Sequence, residues 1–85
     1  FGLGQVYPNP FNPATEISYS LDKRMNIDFA VYNAAGQRIE TIHNGVQQTG
    51  NYTYSWNAGN LSSGIYFFKL AAGSTVLTQK AILIK

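Results

Sequence analysis

The chain has 85 residues, with six Lys/Arg and four Asp/Glu for a formal net charge of +2, a length that admits one domain. Hydrophobic residues make up 45% and charged residues 12%, which excludes intrinsic disorder, a state of low hydrophobicity and high charge. The cations (Lys23, Arg24, Arg38, Lys69, Lys80, Lys85) are scattered, so nothing points to nucleic acid, and no apolar run approaches the roughly 18–20 residues of a membrane-spanning helix.

The chain opens on Phe1, which reads as a piece of a longer parent with any signal peptide upstream. Phe1–Gly4 contains two glycines and reads as a linker to that parent. Next comes Tyr7-Pro8-Asn9-Pro10-Phe11-Asn12-Pro13. Its three prolines fix φ and remove donors, which excludes an inner strand. Asn9 and Asn12 each precede a proline and are held extended, with side chains suited to capping their own backbone two residues on. Phe11 is expected to plug an open end of the fold. The segment therefore reads as a stiff lid over the core, as a docking surface, or as both.

Strand signals dominate the rest, because β-branched and aromatic residues alternate with polar ones between turn residues. Glu16–Leu21 places Ile17, Tyr19 and Leu21 on one face, and Asn26–Tyr32 does the same with Ile27, Phe29 and Val31. Asn33-Ala34-Ala35-Gly36 is a tight turn. Arg38–His43 carries Ile39 and Ile42, whose spacing breaks a period of two and predicts a bulge or an edge. Asn44-Gly45 reads as a hairpin turn and Val46–Thr49 as a short edge strand. Asn51–Asn57 aligns Tyr52, Tyr54 and Trp56. A small-residue loop anchored by Leu61 follows. Gly64–Ala71 reads as a central strand, Ala72-Gly73-Ser74 as a turn, and Thr75–Lys85 as a sticky last strand. About seven short strands at this spacing predict an all-β, immunoglobulin-like antiparallel sandwich over residues 1–85.

Catalytic chemistry has little to work with. His43 is the only histidine and there is no cysteine, which excludes a Cys–His pair and a thiolate or His-rich zinc site. Glu16, Asp22, Asp28 and Glu40 are six or more residues apart, so no EF-type calcium loop exists. The chain is read as a non-enzyme with no cofactor or metal. Tyr52, Tyr54, Trp56, Tyr66, Phe67 and Phe68 form the one set with a ligand reading, a sugar-stacking platform, against the alternative that they are core. On the last strand, Lys80 and Lys85 read either as gatekeepers against aggregation or as part of a tag bound by a partner that pairs with the edge.

Four stretches carry a family resemblance. Gln5–Tyr19, with its Tyr-Pro-Asn-Pro-Phe-Asn-Pro core, resembles the opening of the type A C-terminal sorting domain of the type IX (Por) secretion system. Val31–Ile39 resembles that family's strand–turn–strand signature, Leu61–Phe67 its Ser-Gly-hydrophobic-Tyr motif, and Lys80–Lys85 its lysine-led terminal strand. Departures are Val6, Asp22 and Ala81, where the family often has Asn, Pro and a larger apolar residue. The resemblance implies a C-terminal signal domain of a secreted Bacteroidetes-type protein. Such a domain directs an N-terminal cargo of the same chain from the periplasm across the outer membrane to the cell surface or beyond. The implied partners are the outer-membrane machinery and a sortase-like peptidase that in many cases cleaves the domain, with no nucleic acid and no membrane insertion, the domain being a monomer. It places the recognition elements at Pro8, Asn9, Pro10, Gly64, Tyr66, Lys80 and Lys85. Two alternatives remain open: a carbohydrate-binding or accessory module of a polysaccharide hydrolase, and an assembly scaffold similar to the immunoglobulin-like domain of the flagellar hook-capping protein.

Overall fold

The computed structural model describes all of residues 1–85. It contains seven strands and no helix: β1 (Gly2–Tyr7), β2 (Ala14–Leu21), β3 (Met25–Asn33), β4 (Arg38–Gln47), β5 (Gly50–Asn57), β6 (Gly64–Ala72) and β7 (Thr75–Leu83). The strands form two antiparallel sheets, β1-β2-β5 and β4-β3-β6-β7, which pack as the immunoglobulin-like sandwich that the alternation predicts.

Alternation decides which side chains face inward. Ile17, Tyr19 and Leu21 of β2 meet Ile27, Phe29 and Val31 of β3 and Tyr66, Phe68 and Leu70 of β6, all buried. Aromatic rings knit the layers. Trp56 stands edge-on to Phe68 at 5.4 Å and to Tyr66 at 5.6 Å, and Tyr19 stacks on Tyr52 at 5.2 Å. Offset and edge-on pairs suit the ring quadrupoles.

Three local expectations change. Gly2–Tyr7 is a strand paired with β2, so Phe1–Gly4 lies in the fold where the sequence read a linker. Val6 explains this, because its buried side chain ties the segment to the core. Asn44-Gly45 is no hairpin turn and Val46 begins no separate strand: β4 runs unbroken to Gln47, with Asn44 opposite Asp28 and Gly45 opposite Ile27. The long partner β3 sustains the pairing, and the Asn44 amide donates to the Asp28 carboxylate at 3.3 Å. The expected irregularity does appear on edge strand β4: the register skips at Ile42 and at Ile39, the residues whose spacing broke the alternation. The Asn33–Gly36 turn also forms. The Asn33 side chain accepts from the Ala35 and Gln37 amides at 3.0 and 2.9 Å, and Gly36 takes a φ of 86°, where a side chain would be strained.

The two sheets close on each other differently at their two sides. β1 lies beside β7 on one side. On the other, hydroxyls from the β1-β2-β5 sheet reach β4 and the turn after it. Tyr19 donates to the Gln47 side chain at 2.9 Å and Tyr52 to the Gln48 carbonyl at 2.7 Å. Tyr54 and the Trp56 indole both donate to the Glu40 carboxylate.

Two predictions follow from this packing. Phe68→Ala should cost about 3–5 kcal/mol of unfolding free energy, while Ile65→Ala, on the exposed outer face, should cost no more than about 0.5 kcal/mol; urea unfolding measures both. Burial, followed by the Glu40 hydrogen bond and charge, pushes the Tyr54 hydroxyl from 10.0 to about 12. The folded value lies above the unfolded one, so this contribution is complete below about pH 10 and is lost as pH rises toward 12. Stability should therefore fall across that alkaline window, and Tyr54→Phe should flatten the fall in a series of urea midpoints.

Candidate functional site

The prolines keep residues 8–13 out of the ladders, and the segment crosses the end of the sandwich against the outer edge of β7. All three X-Pro bonds in it are cis. Asn9 does the work of a strand here. Its side-chain amide donates to the Lys80 carbonyl at 2.9 Å, and its carbonyl oxygen accepts the Ile82 N–H at 2.9 Å. Phe11 continues the pairing with its backbone: its N–H donates to the Ile82 carbonyl at 2.9 Å and its carbonyl accepts the Ile84 N–H at 3.0 Å. This forms a parallel bridge between Phe11 and Leu83. The asparagine side chains had been expected to cap their own backbone; Asn9 instead reaches 71 residues along the chain, because the β7 edge offers it both a donor and an acceptor.

Phe11 plugs the open end as expected. It is buried and its ring lies 5.7 Å from that of Trp56. The exposed Pro8 contributes its carbonyl, which accepts a 2.7 Å hydrogen bond from the buried Thr15 hydroxyl. The exposed Pro10 spaces Asn9 from Phe11. Gly64 opens β6 opposite Leu83 with a φ of 155°, a conformation that side chains rarely adopt. Tyr66 pairs with Ala81, stands edge-on to Trp56 and donates its hydroxyl to the Ser62 carbonyl at 2.7 Å. Ala81 itself is fully buried. Lys80 exposes its side chain while its carbonyl holds Asn9. The Lys85 ammonium donates to the Gly59 carbonyl at 2.6 Å, and its N–H to the Ser63 hydroxyl at 3.0 Å.

All seven residues that the resemblance points to thus lie at one end of the sandwich. Sequence reasoning missed the backbone role of Phe11, the Gly59–Ser63 acceptors for Lys85, and the buried Thr15. Thr15 does carry a signal, a polar residue at an inward position next to a proline-rich segment. The sugar platform does not form: Trp56, Tyr66 and Phe68 are buried, Tyr54 points its hydroxyl at β4 and Tyr52 at the Gln48 carbonyl just beyond it, and Phe67 lies apart on the outer face of β6. A shallow groove of about 470 Å³ beside the proline segment is lined by Tyr7, Pro8, Ala14, Thr15, Glu16 and Ser55. Its one titratable carboxylate, Glu16, has no histidine near it; His43 lies on β4, 3.3 Å from the Val46 carbonyl.

The chain matches the secretion system C-terminal sorting domain family over residues 5–85 and belongs to that family. No curated protein and no solved structure matches it.

Asn9→Ala removes two hydrogen bonds and should cost about 1–3 kcal/mol, with the Ile82 amide losing protection in hydrogen exchange. Asn9→Asp keeps an acceptor for the Ile82 N–H but presents no donor to the Lys80 carbonyl. It should preserve protection at Ile82 while still lowering the urea midpoint.

Proposed function

From membership in that family, we propose that this domain is a non-catalytic sorting signal, read by the type IX machinery at the end where the seven residues meet. Family membership supports export of an attached protein across the outer membrane to the cell surface or the extracellular space. The finer steps are our reading: the cargo lies N-terminal in the same chain, the folded domain is recognised in the periplasm as a monomer, and a sortase-like peptidase removes it at the surface. The observation that carries the reading is the convergence of Pro8, Asn9, Pro10, Gly64, Tyr66, Lys80 and Lys85. They come from three stretches of the sequence, and ladder pairs and hydrogen bonds bring them to one end.

The test is a periplasmic reporter carrying residues 1–85 at its C-terminus, expressed in a host with the type IX machinery. The reporter should appear outside the cell. Removing Lys80–Lys85 should hold it in the periplasm, but that deletion also takes Ala81 and Leu83 from the core. Lys80→Ala and Lys85→Ala separate recognition from folding: each should lower export while the thermal midpoint of the purified domain moves by only a few degrees. Export of both at the level of the unaltered domain would refute the assignment of these residues.

A further inference from the structure

The outward faces of the two sheets differ in chemistry. On β2 and β5 the outward residues are Ala14, Glu16, Ser18 and Ser20 opposite Asn57, Ser55, Thr53 and Asn51. All but Ala14 are polar, and two cross-strand pairs bond to each other, Ser18 with Thr53 and Ser55 with Glu16. The one large exposed ring on that face, Tyr7 opposite Glu16, stands singly and makes no apolar patch.

The opposite face, on β4-β3-β6-β7, carries one transverse row in register. Arg38 lies opposite Tyr32, Tyr32 opposite Phe67, and Phe67 opposite Lys80. Two aromatic rings are thus bracketed by two cations across four strands. Lys69 stands beside the row with its ammonium 4.9 Å from the Tyr32 ring centre, and the Arg38 guanidinium lies 5.2 Å from the same ring. Next to Phe67, Ile65 pairs with Ile82, and Ile65 is 42% exposed.

The charges on this face are unequal. Its one carboxylate, Asp28, is already held by Arg38 through hydrogen bonds of 3.0 and 2.7 Å. Arg38 also bonds the Tyr32 hydroxyl at 2.8 Å and the Thr41 hydroxyl at 3.1 Å, so its guanidinium is fixed and largely occupied. The ion pairs of the chain are Arg38 with Asp28 and the N-terminus with Asp22. Lys69 and Lys80 therefore border one end of an apolar patch of Phe67, Ile65 and Ile82, with no carboxylate of their own.

We propose that this face docks an acidic protein segment. Carboxylates of the segment would meet Lys69 and Lys80, and an apolar side chain next to them along the segment would cover Phe67, Ile65 and Ile82. The charge pattern carries the choice of occupant. Two cations without counter-ions attract an acidic partner and repel a second copy of this face, which would set lysine against lysine. The rings supply area at low entropic cost, and the cations at the margin supply steering and register. The proposal rests on the sorting reading for the setting, an envelope protein of the export apparatus, and assigns it a surface outside the residues already carried over from the family resemblance, Lys80 excepted.

The experiment places a photo-crosslinking amino acid at position 65 of the reporter fusion and compares the unaltered domain with Lys69→Glu, Lys69→Arg and Phe67→Ala. A Lys23→Glu variant, altered in the β2–β3 turn, serves as control. The expected result is an adduct with an envelope protein at a segment rich in Asp and Glu. Lys69→Glu should lower the adduct yield and export by about tenfold, while Lys69→Arg and Lys23→Glu should leave both near the unaltered level. Phe67→Ala should weaken the adduct without changing its salt sensitivity. An unaltered reporter that stays in the periplasm overturns the sorting reading and this inference with it. An exported reporter whose Lys69→Glu and Phe67→Ala variants are exported equally well overturns the docking face alone. So does an adduct only with a second copy of the chain, or no protein adduct together with salt-sensitive retention on vesicles of anionic phospholipid. A thermal midpoint shared by all variants keeps a folding defect out of the comparison.

Discussion

The side chain of Asn9 stands in for a neighbouring strand along the edge of β7, and the rest of the molecule leans on that substitution. An edge strand presents a row of unpaired peptide groups, and an apolar one invites another chain to pair with it. β7 is apolar at its end, where Ala81 and Leu83 fill the core and Ile82 and Ile84 face outward. The outward peptide groups of Lys80, Ile82 and Ile84 are met by the Asn9 amide and the Phe11 backbone. The same segment drops the Phe11 ring against Trp56. Prolines on both sides of Asn9 and Phe11 limit the segment's freedom before it docks, so less entropy is lost when it does. Covering the edge and plugging the end are thus one act of the chain.

The opposite side of the sandwich is closed by different chemistry. There the sheets are joined by hydroxyl and indole donors from β2 and β5 meeting acceptors on β4 and just beyond it. Glu40 is the centre of that seam. A half-buried carboxylate is tolerated because Tyr54 and Trp56 both donate to it, and a buried charge without donors would be costly. This explains why Tyr52, Tyr54 and Trp56, which line up in the sequence as part of a sugar platform, face inward. Tyr54 has its polar end committed to β4 and Tyr52 to the Gln48 carbonyl just beyond it, and Trp56 is needed between Phe11, Tyr66 and Phe68.

The inward faces were legible because strand alternation is local: Ile17, Phe29 and Phe68 sit at positions of the pattern that must be buried once the strands form. The bulges at Ile39 and Ile42 were legible for the same reason, as a break in that pattern. Asn44-Gly45 was misread because a turn dipeptide states a local preference, whereas β3 supplies a long partner and Asp28 an acceptor for Asn44. Gly2–Gly4 was misread because two glycines hide a strand whose pairing comes from β2. The site residues were named by resemblance. Their contacts were not legible, since Asn9 and Lys80 lie 71 residues apart and nothing in either segment alone points to the other.

That separation bears on what a partner of this domain reads. A linear tag would place its recognition residues on one flexible stretch, where each binding event must order the chain. Here Asn9 and Lys80 meet only after both sheets have formed, because β7 takes its place through β6 and the proline segment through β1 and β2. A receptor that contacts both therefore tests whether the domain is folded, and finds them already in place at little entropic cost. The short span from Lys80 along the outer row to Phe67 and Tyr32 places the cationic face next to that end, so one partner could engage both. Under the sorting reading, a small folded sandwich suits the task because unfolding would scatter Asn9 and Lys80 while leaving both in the chain.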